Sequence, residues 1–237
     1  SRFLDTCFSC AMATLVRDSD GVSNVEREFV LTALRQGLRV DGRAPLDARG
    51  ITVRLGPRDG TAEVSLGHTR VLAAASGELS APSPDRPNEG TVQVFVEVSP
   101  MASPQAEPGR PSDAQVELSR GLERVLRDGG AVDRESLCVL AGRAAWALRL
   151  DVHVIDHAGG LWGACSLAAL AALQSFRLPE TEADAGAGSV KVLPLEEREG
   201  APLSLHHTPL AVQFAHFDRR EGGEGVVVDP LAAPGGG

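Results

Sequence analysis

Four arginines in the middle of this 237-residue chain carry the clearest chemical signal. Arg120, Arg124 and Arg127 recur at i, i+4 and i+7, which puts them on one face of a helix, and Arg110 precedes the same segment. A guanidinium stripe of this kind can grip phosphate oxygens without reading bases. Glu117 and Glu123 stand at helical spacing to it, so a solvated face laced by local ion pairs is the alternative reading. Three other groupings invite a chemical reading. Asp41-Gly42 lies between Arg39 and Arg43, where the carboxylate can pair with either arginine and the glycine can turn the chain. His206-His207 looks like a ligand pair, but neighbours on a strand point to opposite faces and cannot chelate one ion. Cys7-Phe8-Ser9-Cys10 has the spacing of half a zinc or redox site, yet no second pair follows and no thioredoxin-like unit surrounds it. No metal site and no cofactor are expected from these patterns.

The elements that must position these groups follow from periodicity. Ser23-Asn24-Val25-Glu26 fits a capping box for a helix to about residue 38, with Val30, Ala33, Leu34 and Leu38 supplying its apolar face. The pattern then switches to period two. Ile51, Val53 and Leu55 share one face, Ala62, Val64 and Leu66 alternate next, and Val71 to Ala75 is apolar throughout, as in a strand covered on both faces. Residues 77 to 90 read as a loop, Val92 to Val98 as an alternating strand, and Pro100 to Pro111 as a second loop. Ser112 and Gln115 form a capping box for a helix to about Arg127, with Leu118, Leu122 and Val125 facing the core. Trp146 to Ile155 alternates, with Leu148, Leu150, Val152 and Val154 on one face. Ala164 to Phe176 has so few polar side chains that it must be a helix buried on most sides. Glu180 to Gly188 reads as an acidic surface loop. Val190 to Leu193 and Leu210 to Phe217 read as strands, and Glu221 to Gly225 turns into Val226-Val227-Val228-Asp229. Strands and helices interleave without a βαβ repeat, which predicts an α+β fold. Residues 1–22 form a loose lead-in, 23–230 one domain, and 231–237 a loose tail.

Composition narrows the function classes. The formal net charge of −9 argues against a chain that binds nucleic acid by bulk charge, but permits a local basic patch. Four cysteines at this length are no disulfide framework. No apolar run is long enough to span a membrane.

Arg39-x-Asp41-Gly42-Arg43, then Gly67-His68-Thr69-Arg70-Val71-Leu72, then Glu89-Gly90 ahead of a strand, resembles the opening of the ribonuclease PH family. That family includes phosphorolytic exoribonucleases and the ring subunits of the RNA exosome. The resemblance covers residues 23 to about 230. Met101 to Pro104, Glu107 to Arg110, Glu135 to Val139 and Leu205 to Pro209 narrow it to an exosome ring subunit. It implies a mixed sheet with packed helices, like the second domain of ribosomal protein S5, and a C-terminal helix–strand–helix unit that this chain lacks. Phosphate-binding members carry Asp-Gly-Gly-Thr-Arg where this chain has Ala158-Gly159-Gly160-Leu161-Trp162, and Leu161 and Trp162 cannot bind an anion through their side chains. The family's arginine pair at the start of the preceding helix falls at Asp113 and Ala114, its first catalytic aspartate at Asp229 and its second at Gly235. The resemblance therefore implies a subunit with no catalytic residues, which scaffolds a six-membered ring and guides RNA past Arg110, Arg120, Arg124 and Arg127 for 3′-to-5′ processing. Its partners would be other ribonuclease PH-like ring subunits, cap subunits and RNA, with no membrane. Its location would be nucleus, nucleolus and cytoplasm. An active phosphate-dependent exoribonuclease and a free-standing S5-like RNA-binding module are the alternatives.

Overall fold

The computed structural model describes residues 24–103, 106, 109, 111–184, 189–193, 198–217 and 225–231. The expected lead-in, Ser23, the side chain of Glu26, the cysteine pair, Arg110, the turn at 221–224 and Gly235 lie outside them.

Helix α1 (Asn24–Arg35) leads into the meander expected from the switch in period: β1 (Ile51–Leu55), β2 (Thr61–Leu66) and β3 (Thr69–Ser80), each antiparallel to the next. Ile51, Val53 and Leu55 stand directly across from Leu66, Val64 and Ala62 and so share their face. β4 (Thr91–Val98) follows, then α2 (Asp113–Glu123), β5 (Cys138–Leu140), β6 (Ala144–Asp156) and α3 (Leu161–Ser175). The six-stranded sheet runs β1-β2-β3-β6-β4, with β5 added to the start of β6. β6 is antiparallel to β3 and parallel to β4, so the sheet is mixed and the fold is α+β, as the residue pattern predicts.

One face of the sheet is dry. Val64, Val71, Val92, Leu148, Leu150, Val152 and Val154 are buried there beneath α3, which packs on β2 and β3, and α2, which packs on β4. α3 meets the expectation of a helix buried on most sides: Ala164, Cys165, Ala168, Ala169, Ala172 and Leu173 are all enclosed. The other face is open. Arg149 lies over the Phe95 ring, 4.7 Å from its centroid, and Arg70 pairs with Glu63. The expectation that Val71 to Ala75 is covered on both sides therefore fails. Val71, Ala73 and Ala75 are buried while Leu72 is exposed, because among the described residues no layer covers the second face.

Ser112 caps α2 as predicted. Its hydroxyl accepts from the Gln115 backbone N–H, and the Gln115 side chain accepts from the Ser112 N–H. Beyond Glu123 the helix widens into a π-helical turn, Arg124–Asp128. A π-turn advances less per residue than an α-turn, and this shifts the buried face by one position. Leu126 is 2% exposed, whereas Val125, expected in the core from α-helical spacing, is 42% exposed.

Short hairpins complete the chain. β7 (Arg177–Leu178) pairs with β10 (Ala201–Pro202), β8 (Thr181–Asp184) with β9 (Ser189–Val192), and β11 (Phe214–Phe217) with β12 (Gly225–Val228). Part of the expected loop at 180–188 is thus strand β8. The expected strand at 210–217 pairs only from Phe214. Its earlier residues run past α3, where the Ala211 N–H donates to Ser166 Oγ at 3.4 Å. His206 and His207 are not on a strand. They follow an isolated bridge between Val132 and Leu205, both are exposed, and His206 Nε2 stands 3.8 Å from Asp133 Oδ1.

Candidate functional site

β12 delivers Asp229 into a nest of arginines. Asp229 has φ 51°, the one positive value at a non-glycine residue among the described residues, and aspartate tolerates that conformation better than most. Arg49 Nε donates to Asp229 Oδ2 at 2.7 Å and Arg49 Nη2 to Oδ1 at 2.6 Å. The Arg49 backbone N–H and Arg43 Nη1 also donate to Oδ2, each at 3.0 Å. The Asp229 carbonyl accepts from Arg39 Nη2 and Arg43 Nη2, both at 3.1 Å, and Arg39 Nη1 donates to the Val228 carbonyl at 2.8 Å. Asp41 bridges the first two arginines, 3.0 Å from Arg39 Nη2 and 2.6 Å from Arg43 Nη2. The Arg39-x-Asp41-Gly42-Arg43 segment is therefore a receptor for the end of β12.

The same Arg49 reaches the glycine turn ahead of α3. Its Nη1 donates to the Ala158 carbonyl and its Nη2 to the Gly159 carbonyl, each at 3.0 Å. Thr69, fully buried, donates to the Gly159 carbonyl at 2.7 Å and accepts from the Ala158 N–H at 3.1 Å. The Gly159 N–H donates to His157 Nδ1 at 3.2 Å. Gly160, the N-cap of α3, has φ 71°. A Cβ at Gly160 would lie 2.5 Å from Arg49 Nη2 and 2.8 Å from Asp229 Oδ1. The space at this turn, where a helix N-terminus would attract an anion, is filled by the chain's own guanidinium and carboxylate.

The electrostatics match. Burial alone would raise the Asp229 carboxyl, but the Arg49 hydrogen bonds, helped by its charge and by Arg43, hold it down at about 2. Burial pushes the His157 imidazole below its ordinary value, and the Arg49 charge adds to this, so Nδ1 stays free to accept. A carboxylate held this firmly ionised and bonded by two guanidinium groups is a poor general acid.

Leu161 and Trp162 open α3 and are partly buried against the core. The Trp162 ring lies over Gly121 of α2, so closely that a Cβ at Gly121 would fall 2.0 Å from Cη2. Apolar packing between two helices thus occupies these positions. Asp113 and Ala114 lie exposed at the start of α2 and supply no cation.

Of the expected RNA-contacting arginines, Arg120 and Arg124 are exposed on α2 and its extension, and Arg110 lies outside the described residues. Arg127 leaves their line because the π-turn intervenes. It bonds Asp128 at 2.9 Å and Glu123 at 2.5 Å, and the Asp128 bond is the main reason its pKa is raised. Among the described residues no cluster of metal-ligating side chains occurs, and burial pushes the Cys165 thiol up to about 12. Sequence reasoning missed Arg49 and Thr69 as members of the site. Thr69 stood inside the Gly67-to-Leu72 motif, but Arg49 lay in no motif at all.

Comparison with known proteins agrees with this fold. The profile of the 3′ exoribonuclease family, domain 1, matches residues 47–179. Exosome complex component RRP45B of Arabidopsis thaliana is 48% identical over 206 residues, which is 86% of this chain and 46% of that protein. Exosome complex component RRP45 of Homo sapiens is 43% identical over 209 residues, 88% of this chain and 46% of that protein. The chain therefore spans about half the length of these relatives. Among solved structures, the Archaeoglobus fulgidus exosome with RNA bound to the active site superposes with a TM-score of 0.73 at 30% identity, covering 87% of this chain and 76% of that one. An archaeal exosome core superposes with a TM-score of 0.66 at 27% identity, covering 87% and 74%. By sequence profile, relatives and fold alike, the chain belongs to the 3′ exoribonuclease family of ribonuclease PH-like proteins.

Proposed function

We propose that the chain is a non-catalytic ring subunit of an RNA exosome, corresponding to the subunit known as the smaller polymyositis/scleroderma autoantigen. In this reading it pairs with other ribonuclease PH-like subunits and with cap subunits, and helps lead RNA to a nuclease elsewhere in the complex. It works in nucleus, nucleolus and cytoplasm. The observation that carries the reading is the filled turn at Gly159-Gly160. Phosphorolysis needs a bound phosphate and a carboxylate free to move a proton or hold a metal. Here Arg49 and Asp229 neutralise one another over the turn, and Leu161 and Trp162 pack where Thr and Arg would bind phosphate. Exposed Arg120 and Arg124 keep the means to grip a phosphate backbone.

The test is a tagged co-purification from eukaryotic cells, followed by a phosphorolysis assay. The expected result is stoichiometric recovery of the other ring subunits and no phosphate-dependent release of nucleoside diphosphates traceable to this chain. Release that disappears with Asp229→Asn, in an assembly that still co-purifies, would overturn the non-catalytic reading.

A further inference from the structure

The two end strands of the main sheet differ. β4 is covered. Val92 and Val94 are buried under α2, whose Ser119 Oγ donates to the Val94 carbonyl at 2.6 Å, and the Gly90 N–H just ahead of the strand donates to the Arg134 carbonyl at 2.9 Å. β1 is bare. All five of its residues are exposed, and among the described residues no strand pairs with its outer edge. Ile51, Val53 and Leu55 are 53%, 48% and 64% exposed, although Leu66, Val64 and Ala62 directly across from them are buried.

The backbone of β1 points outward at the same three residues. The Gly67 N–H donates to the Gly50 carbonyl and the Gly56 N–H to the Thr61 carbonyl. Both bonds fit the β1–β2 register, and an antiparallel ladder bonds every second residue. Thr52 and Arg54 therefore direct their N–H and C=O groups to β2, and those of Ile51, Val53 and Leu55 face away from it. Exposed edges are normally protected by a proline, a lysine, a bulge or a charge turned toward the core. β1 has none of these. It reads Ile51-Thr52-Val53-Arg54-Leu55, its register with β2 is unbroken, and its one charge, Arg54, lies on the open face across from Glu63.

We infer that β1 is an interface between two copies of this chain, paired antiparallel, edge to edge, about a two-fold axis at Val53. The strand is its own complement in that arrangement. Val53 meets Val53 of the second copy and Ile51 meets its Leu55, so apolar side chains face one another on the core side. The residues so matched are those with outward N–H and C=O groups, and each matched pair can exchange two hydrogen bonds. On the open face Thr52 meets Arg54 of the second copy, so no like charges stand opposite each other. RNA is a poor occupant, because Arg54 is the one cation on the strand and the backbone edge offers paired donors and acceptors rather than charge. Five residues from each copy make a contact smaller than about 1,000 Å², so the dimer is weak, with a Kd on the order of 10–100 µM. The inference concerns the chain by itself and needs neither ring assembly nor the RNA contacts of Arg120 and Arg124.

The test is sedimentation equilibrium of the full chain at about 0.15 M salt, from about 1 µM to about 500 µM. The weight-average mass should rise from 24.8 kDa toward twice that value. Thr52 is exposed on the open face, so its side chain can be changed without disturbing the core. In the two-fold register Thr52→Glu sets a carboxylate opposite each Arg54 and should tighten the dimer about fivefold, whereas Thr52→Arg sets like charges opposite each other and should weaken it about fivefold. Val53→Lys should abolish it. A mass of 24.8 kDa at every concentration would overturn the inference. So would association that the Thr52 and Val53 variants leave unchanged, because the contact would then lie elsewhere. A chain that stays monomeric alone and gains mass only with another ribonuclease PH-like subunit would overturn it in favour of a mixed pair, and the proposed ring function would survive that outcome.

Discussion

Arg49 clasps Asp229 with two parallel hydrogen bonds, Nε to Oδ2 and Nη2 to Oδ1, across 180 residues of sequence. Because the same guanidinium also holds the Ala158 and Gly159 carbonyls, one side chain fastens together the approach to the sheet, the turn before α3 and the end of β12. Asp229 is thereby a structural member of the fold.

Removing that member leaves buried arginines without their carboxylate. Asp229→Asn, which keeps a side chain suited to positive φ, should cost roughly 3 kcal/mol of stability or more. Asp229→Ala should cost about 1 kcal/mol beyond that, from the φ of 51°. Urea denaturation at unchanged m-value would measure both. A loss below about 1 kcal/mol for the Asn variant would show that the clamp does not hold the fold together.

The same carboxylate makes stability depend on pH. Its folded pKa, about 2, lies below the ordinary 3.8, so its contribution is full above pH 3.8 and drains away as the pH falls toward 2. The amount is roughly 2 kcal/mol, and Asp229→Asn should remove that step from the stability profile. His157 acts in a separate window. Its pKa is lowered from 6.5, so below that pH the unfolded chain takes up a proton that the folded chain resists, and stability declines as the solution is acidified. Replacing His157 by Asn should flatten this upper limb and leave the lower one.

Gly121 and Trp162 should behave as a coupled pair. Gly121→Ala is normally favourable in a helix, by about 1 kcal/mol. Here the new methyl would meet the Trp162 ring, and the net effect should be a loss of about 1–3 kcal/mol. In a Trp162→Thr background the same change should become neutral or stabilising. A double-mutant cycle with no coupling would contradict the packing described.

Among the arginines, position relative to the π-turn should decide the RNA phenotype. Under the proposed function, Arg120→Glu and Arg124→Glu should each weaken binding of single-stranded RNA and lower the slope of log affinity against log salt by about 1. Arg127→Glu should change that slope little, because Arg127 is committed to Glu123 and Asp128. Equal salt slopes for all three variants would restore the single stripe read from helical spacing.

Much of this was legible in the residues, and the misses share a cause. Alternation marked β1, β2, β4 and β6, the near absence of polar side chains marked α3, and Ser112 with Gln115 marked the start of α2. All are signals carried within a few residues. Val125 was misplaced because a π-turn carries no periodicity signature distinct from that of an α-helix, and Leu126 takes the buried position. Leu72 was misplaced because an apolar run does not say whether a second layer exists. Arg49 went unseen because its partner lies at the other end of the chain, and nothing in its neighbours distinguishes it from a surface arginine. Leu161 and Trp162 beside the Gly159-Gly160 turn were visible in the sequence, but the groups that fill the turn emerged only in three dimensions.

The clamp also sets an order of events during synthesis. The strands between residues 51 and 156 and the helix that covers them leave the ribosome well before Asp229 is made. Until then Arg39, Arg43 and Arg49 have Asp41 as the one carboxylate of their eventual network. Contacts between distant residues form late because the intervening chain must first be closed into a loop. The sheet therefore assembles on a nascent chain whose opening segment is still unfastened, and Asp229 acts as the latch that reports the chain complete to that point.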